Sequence, residues 1–290
     1  MKLQTIVDIK PSCREIGYED HILLLGSCFS DEIGAQMQQR NLHVTCNPFG
    51  TLYNPLSIAQ AINGQFSTVN YQFHEGLWHS MAHHGSFSRP TQEETEQAVN
   101  TSIDILQTAL RTASTVIITF GTSWVYEMVT SPSDEGQKAG SFIVGNCHKL
   151  PADRFTRRRL SVEEIVAAWQ PIMDSYPDKH WIFTVSPIRH VKDGLHENQL
   201  SKATLLMAVE QLTSQDGRSD RVSYFPSYEI LLDELRDYRF FADDLVHPSS
   251  LAVQYIWERF VETFCTPQTR NQMAIEYKHW KQTQHRPLHP

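Results

Sequence analysis

The chain has 290 residues, 40% of them apolar and 10% aromatic, which is ample material for a buried core and excludes a mainly disordered protein. Its 25 Lys and Arg residues stand against 33 Asp and Glu, a net charge of −8, so no chain-wide positive field exists to draw in nucleic acid. The length equals about two typical domains, but α/β folds of this size often form one.

Taken in chain order, His21–Leu25 is a short apolar run closed by Gly26-Ser27, and Asp31–Arg40 after it carries Ile33 and Met37 at helical spacing. Strand, tight turn, helix is the reading. Tyr71–Pro90 is irregular and rich in His, Trp, Phe and Ser. Glu93–Arg111 repeats the helical pattern before a second β-branched run, Thr115–Phe120, closed by Gly121. Glu127–Leu150 interrupts this rhythm: its turn-rich cluster Ser131–Gly136 lies between two β-like runs and predicts an inserted hairpin. Arg157-Arg158-Arg159 reads as a solvated approach to the helix Val162–Tyr176. A third apolar run, Trp181–Val185, ends at Ser186-Pro187; the helix Asn198–Leu212, a weaker strand Arg221–Tyr224 and the helix Ser249–Phe264 follow. After Thr266-Pro267, Gln268–Trp280 can form an amphipathic helix and Lys281–Pro290 a mobile tail.

Continuously apolar strands alternating with helices predict a parallel sheet covered on both faces. With no repeat or Gly/Ser linker in view, residues 1–267 are expected to form one domain and 268–290 a helix and tail. No run approaches the roughly 18 to 20 apolar residues of a membrane span. The opening Met1–Asp8 lacks the apolar stretch of a secretory leader. The cysteines, Cys13, Cys28, Cys46, Cys147 and Cys265, are odd in number and contain no C-x-x-C, against a disulfide frame or zinc ribbon. A cytoplasmic chain is the expectation, and the sequence leaves its oligomeric state open.

Two segments carry residue types suited to nucleophilic catalysis. Ser27 follows Gly26 where a buried strand ends and a helix begins, the place where α/β sheets present ligand-facing groups; a serine there also serves as a helix N-cap. Far along the chain, Asp244 precedes His247 by three residues ahead of a helix. A carboxylate so placed can hold an imidazole in the tautomer that accepts a proton from a hydroxyl. Cys28 is intrinsically the better nucleophile, but neighbouring side chains in a strand-to-helix turn point apart, so only one of the two faces a pocket. His74, His79, His83 and His84 lack H-E-x-x-H and acidic companions, so no metal or other cofactor is expected, and a surface or substrate-facing role is read for them. Arg189 and His190 follow the third strand, where they could bind a substrate carboxylate or phosphate; the alternative for Arg189 is a salt bridge with Asp193 or Glu197.

The segment Gly26-Ser27-Cys28-Phe29-Ser30, followed by Asn47-Pro48-Phe49-Gly50-Thr51-Leu52-Tyr53-Asn54, resembles the opening of the GSCFA family, with Ser30 in place of the motif's Ala. Phe120–Tyr126, Asn146-Cys147-His148-Lys149, Ser186–His190, Asp193-Gly194, Glu197-Asn198, Ser201-Lys202-Ala203 and Asp244–Pro248 extend the resemblance in order from about residue 20 to about 260. That family is similar to the GDSL/SGNH hydrolases, which implies a flavodoxin-like three-layer α/β/α sandwich and serine-based ester chemistry. By this resemblance Ser27 is the nucleophile, His247 its base and Asp244 the residue that orients His247. The amides of Ser27 and Gly50 make an oxyanion hole. The third SGNH block normally supplies an asparagine in G-x-N, but this chain reads Gly121-Thr122-Ser123. Loss of one such donor removes about 2.7 to 4 kcal/mol of transition-state stabilisation, and Asn146 is the candidate substitute, unless it bonds only to local backbone. Trp124 joins Arg189 and His190 as a substrate-binding candidate. The expected activity is removal of an O-acyl group, O-acetyl foremost, from a carbohydrate-like or small-molecule ester. The alternatives are transfer of that group to another alcohol and a non-catalytic binding module on the same fold.

Overall fold

The computed structural model describes residues 4–12, 14–64, 71–130, 140–214 and 220–284. In chain order the elements are β1 (His21–Gly26), α1 (Cys28–Gln38), β2 (His43–Cys46), α2 (Pro55–Ile62), β3 (Tyr71–His74), β4 (Leu77–Ser80), α3 (Gln92–Thr112), β5 (Thr115–Phe120), β6 (Trp124–Thr130), β7 (Gly140–Val144), β8 (Phe155–Arg159), α4 (Val162–Ser175), β9 (His180–Val185), α5 (Leu195–Thr213), β10 (Val222–Phe225), α6 (Ser227–Glu229, continued by a π-helical turn to Leu235), α7 (Ser250–Phe264) and α8 (Pro267–Gln284).

Five strands form a parallel sheet in the order β2-β1-β5-β9-β10, the flavodoxin-like arrangement. The unbroken apolar runs of β1, β5 and β9 follow from burial on both faces. Leu23, Leu25, Val116, Ile118, Phe120, Trp181 and Phe183 pack into one cluster with side chains of α2 to α5. The alternate residues Ile22, Leu24, Ile117 and Ile182 pack on the other face with α1 and α7. The chain is therefore a three-layer α/β/α sandwich, as the sequence predicts. Helix α8 continues the second layer through the buried Met273, and the Arg40 guanidinium stacks 4.0 Å from the Tyr277 ring.

Several boundaries differ from the sequence reading. Helix α1 starts at Cys28, three residues earlier than Asp31, because Ser27 caps it with an extended backbone. Strand β2 has only four residues and no fully buried position, so it leaves little hydrophobic signal. Helix α2 went unread although Asn54-Pro55 supplies an N-cap and a first-turn proline. Within Tyr71–Pro90, β3 and β4 form an antiparallel hairpin. The inserted hairpin exists as β6 and β7, paired from Tyr126 with Val144 to Thr130 with Gly140; its turn cluster Ser131–Gly136 lies outside the described residues, as does the end of the tail. The insert is larger than a hairpin, since Arg157-Arg158-Arg159 belongs to β8, which pairs with the other edge of β6. That run is a strand, not an approach to a helix. Its arginines hide it: Arg158 pairs with Glu127 and Glu164 instead of showing an apolar alternation. No described helix is long and apolar enough to cross a membrane.

Candidate active site

Strand β1 hands the chain to β2 on one side, while β5 pairs with its other edge, so the cleft opens at the carboxyl ends of β1 and β5, where open α/β sheets bind ligands. Gly26 makes this end possible. Its φ of +140° suits glycine, and a β-carbon there would stand 2.2 Å from the Thr119 carbonyl oxygen on β5. A cavity of about 630 Å³ opens beyond it, lined by residues that include Cys28, Tyr53, Trp124, Asn146, Arg157 and His247.

The turn after Gly26 separates Ser27 from Cys28. Ser27 is 1% exposed and does not line the cavity; its Oγ accepts a bond from the Phe29 amide at 3.4 Å, the N-cap role. Cys28, the first helical residue, projects the other way, and its Sγ lies 4.0 Å from His247 Nε2. Of the two neighbours it is Cys28 whose side chain meets the histidine, at the place where the sequence reading expects Ser27. The physical reason is the helix start: a capping serine must turn its oxygen back toward the amides of the first turn.

Asp244 and His247 meet as the D-x-x-H spacing suggests. His247 Nδ1 and Asp244 Oδ2 are 2.6 Å apart, while Asp244 Oδ1 accepts the amides of Val246 at 2.9 Å and His247 at 3.0 Å. The His247 and Val246 amides, and then the imidazole, pull the Asp244 carboxyl down to about 2. An ionised Asp244 accepts a hydrogen bond from Nδ1–H and leaves Nε2 as an acceptor toward the thiol. The loop is tied by a bond from the Ala242 amide to the His247 carbonyl at 2.8 Å and has Leu245 at φ +56°. Burial, and then Asp31, push the Cys28 thiol above its ordinary pKa, whereas its own backbone N–H and Lys202 draw it back. The resting sulfur is thus a protonated thiol beside a base rather than a preformed thiolate.

The remaining candidates divide. The Ser27 amide donates to Thr119 O at 3.2 Å and the Gly50 amide to Asn47 O at 2.7 Å, so both expected oxyanion donors are committed within the fold. The Cys28 amide, at the first helical position, has no intrahelical acceptor. Asn146 lines the cavity, with its Oδ1 fixed by the His148 amide at 2.8 Å. Ser123, at the third-block position, is fully buried and bonds Ser201 through both its amide and its hydroxyl.

Arg189 forms neither anticipated salt bridge. It donates through Nη2 to the Leu245 carbonyl and through its amide to Val246 O at 3.3 Å, and its guanidinium stacks 4.3 Å from Phe241. It therefore braces the loop that carries Asp244 and His247. His190 lines the cavity, and burial, then Lys202, push its imidazole down to about 4, so it is neutral near pH 7. Trp124 also lines the cavity, under the Arg157 guanidinium at 4.0 Å. Arg157 in turn pairs with Asp193 at 2.5 Å. The sequence reading sets Arg157 in a solvated approach to a helix; the pairing of β8 with β6 brings it to the cavity instead. The histidines of 74–84 lie elsewhere: His79 stacks on His148 at 4.6 Å and contacts Ser88 Oγ and His74 O, while His83 Nδ1 contacts Ser80 Oγ. Among the described residues no three His, Cys, Asp or Glu side chains are grouped to hold a metal ion.

No curated protein matches the chain. The model of the GSCFA family matches residues 21–260, a span that runs from the first residue of β1 through the Cys28 turn and the Asp244–His247 loop into α7. This chain belongs to the GSCFA family.

Proposed function

We propose that the cleft is a thiol-based acyl-transfer site in which Cys28 is the nucleophile, His247 its general base and Asp244 the group that orients the base. The 4.0 Å approach of Cys28 Sγ to His247 Nε2, with Asp244 behind the ring, carries this reading; such contacts often tighten only when substrate is bound. In the first step the sulfur attacks the acyl carbonyl carbon and the thiol proton passes to Nε2. The tetrahedral adduct collapses as the carbon–oxygen bond of the ester breaks, and His247 returns the proton to the leaving alkoxide. The thioester that remains is attacked by water, or by a second alcohol, whose proton goes to Nε2; the carbon–sulfur bond then breaks and His247 returns that proton to the leaving thiolate, which restores the thiol. The Cys28 amide and Asn146 are the donors available to the oxyanion. This keeps the ester chemistry implied by the resemblance to SGNH hydrolases and moves the nucleophile from Ser27 to Cys28.

Small activated acyl esters are the probes, p-nitrophenyl acetate first. Acid quenching during turnover is expected to leave one acetyl group on the Cys28 peptide, removed by neutral hydroxylamine as a thioester is. An acetyl group on Ser27 that resists neutral hydroxylamine would return the mechanism to the serine. With neither residue acylated by any ester and no turnover, the fold serves as a binding module.

A further inference from the structure

Lys202 is an unusual residue for the middle of α5. It is 1% exposed and stands on the helix's buried stripe with Asn198, Leu205 and Val209. Its Nζ donates to the carbonyls of Gly121 and Ser186, both at 2.7 Å. Those residues follow directly on β5 and β9, adjacent strands of the sheet. Among the described residues no carboxylate is paired with it, and a buried ammonium without a counter-ion is unfavourable enough that folds seldom keep one for packing alone.

The carbonyl that holds Lys202 belongs to the wall of the active cleft. A β-carbon added to Gly121 would stand 3.3 Å from Ser27 Cβ and 3.0 Å from Tyr53 O, so this peptide packs directly against the turn that presents Cys28. The Gly121 backbone also raises the imidazole of His190, which lines the cavity, against the lowering by burial. The ammonium therefore sits behind one peptide layer, on the protein side of the nucleophile, where water does not screen it.

We infer that Lys202 is a positioning residue whose buried ammonium serves as the counter-charge for the Cys28 thiolate that forms on the reaction path. This rests on the reading of Cys28 as the nucleophile. One electrostatic interaction, seen from both partners, agrees with it: burial pulls Lys202 down to about 7, a thiolate at Cys28 raises it, and Lys202 lowers the Cys28 thiol. The missing carboxylate then has a meaning, because a permanent anion beside Lys202 would neutralise the charge that the transient thiolate uses.

The test is the rate of Cys28 alkylation by iodoacetamide at pH 6, where the Lys202 ammonium is retained, followed by mass spectrometry of the Cys28 peptide in the full chain. Lys202→Met is expected to slow alkylation about tenfold at that pH, because only the thiolate reacts. Lys202→Arg, which keeps the charge, is expected to hold the rate nearer that of the unmodified protein. A folded Lys202→Met protein with an unmoved rate overturns the inference. Should that variant fail to fold, the Lys202 ammonium is titrated by nitrogen NMR in the unmodified protein and in Cys28→Asp, whose carboxylate stands for the thiolate. A higher Lys202 pKa in Cys28→Asp supports the coupling, and an unchanged one overturns it. Ester turnover is measured separately: an alkylation rate that falls in a protein without turnover sinks acyl transfer and leaves the counter-charge, whereas turnover through Cys28 with an unmoved rate sinks only the counter-charge.

Discussion

Ser27→Ala and Cys28→Ala separate the two neighbours, because the structure gives them different work. Ser27 Oγ caps α1 through a contact of 3.4 Å to the Phe29 amide, which is long for a hydrogen bond. Replacing a capping serine with alanine costs about 0.5 to 2 kcal/mol, and the long contact puts Ser27 near the lower end, about 0.5 to 1 kcal/mol. In a chain of 290 residues that corresponds to a fall in melting temperature of about 1 to 4 °C. Turnover of p-nitrophenyl acetate, measured at a temperature where both proteins are folded, is expected to stay within about threefold of the unmodified protein, since a cap outside the relay changes no transition-state contact. Cys28→Ala removes the atom that faces His247. It is expected to melt within about 2 °C of the unmodified protein, because the substitution deletes one partly exposed sulfur, while turnover falls on the order of 10³-fold or more. An inactive, folded Ser27→Ala beside an active Cys28→Ala would refute the assignment of the nucleophile and the reasoning from helix register behind it.

Three further outcomes are expected. Asp244→Asn removes the ionised acceptor of the His247 Nδ1–H bond and should lower turnover on the order of 10²- to 10⁴-fold; the Asp244 carboxyl sits near 2, so the carboxylate is present throughout an assay from pH 4 to 8, and a folded Asp244→Asn protein that keeps turnover within about threefold across that range would contradict the arrangement. Burial holds four histidines below their ordinary pKa, His83 at about 3 and His148, His180 and His190 at about 4; above about pH 6.5 both states leave them neutral, but as pH falls from there toward 4 the unfolded chain takes up protons that the folded chain refuses, so stability drops by up to about 1.4 kcal/mol per pH unit for each histidine, and urea midpoints that stay flat from pH 6.5 to 4.5 would contradict their burial. Glu234 is buried and accepts from Arg259 Nη1 at 2.6 and 2.7 Å, from the Val7 amide at 2.8 Å and from the Tyr255 hydroxyl; Glu234→Gln leaves the Arg259 charge without its partner and should destabilise the fold by roughly 3 to 5 kcal/mol, with faster proteolysis in the segment around Val7, and a loss under 1 kcal/mol in urea would show the pair to be solvated.

Much of this fold is legible because β1, β5 and β9 are buried on both faces, so their side chains are apolar without alternation, and because the intervening helices keep a clear apolar stripe. Asp244 and His247 are legible for a similar reason: their pairing depends on a local spacing that one loop satisfies by itself. The elements that escape are those whose stability comes from partners far along the chain. Strand β8 is held by backbone pairing to β6 and by Arg158 between Glu127 and Glu164, which no window of neighbouring residues displays. The partners of the Ser27 and Gly50 amides are hidden for the same cause, since their acceptors are backbone carbonyls that carry no residue signature. Lys202 did leave a signal, a lysine on the same stripe as Leu205, Val209 and Leu212, where a charge is unexpected.

The identity of the nucleophile turns on where α1 begins. With the helix read from Asp31, Ser27 lies in an open turn and its hydroxyl is free to meet an imidazole. With the helix starting at Cys28, residue 27 has to be the cap, and a side chain that closes over the first amides cannot also project into the cleft. Gly26 permits this turn, because its φ of +140° and its close approach to the Thr119 carbonyl leave no room for a β-carbon there. A thiol in the outward position also suits the rest of the cleft: it is weakly solvated, protonated at rest, and needs both a base and a buried positive charge to become reactive. His247 and Lys202 supply those two requirements from opposite sides of the same sulfur's environment, one at the open rim and one behind the Gly121 peptide. A serine would need the base far more than the charge, so a thiol is the nucleophile for which both residues have a use.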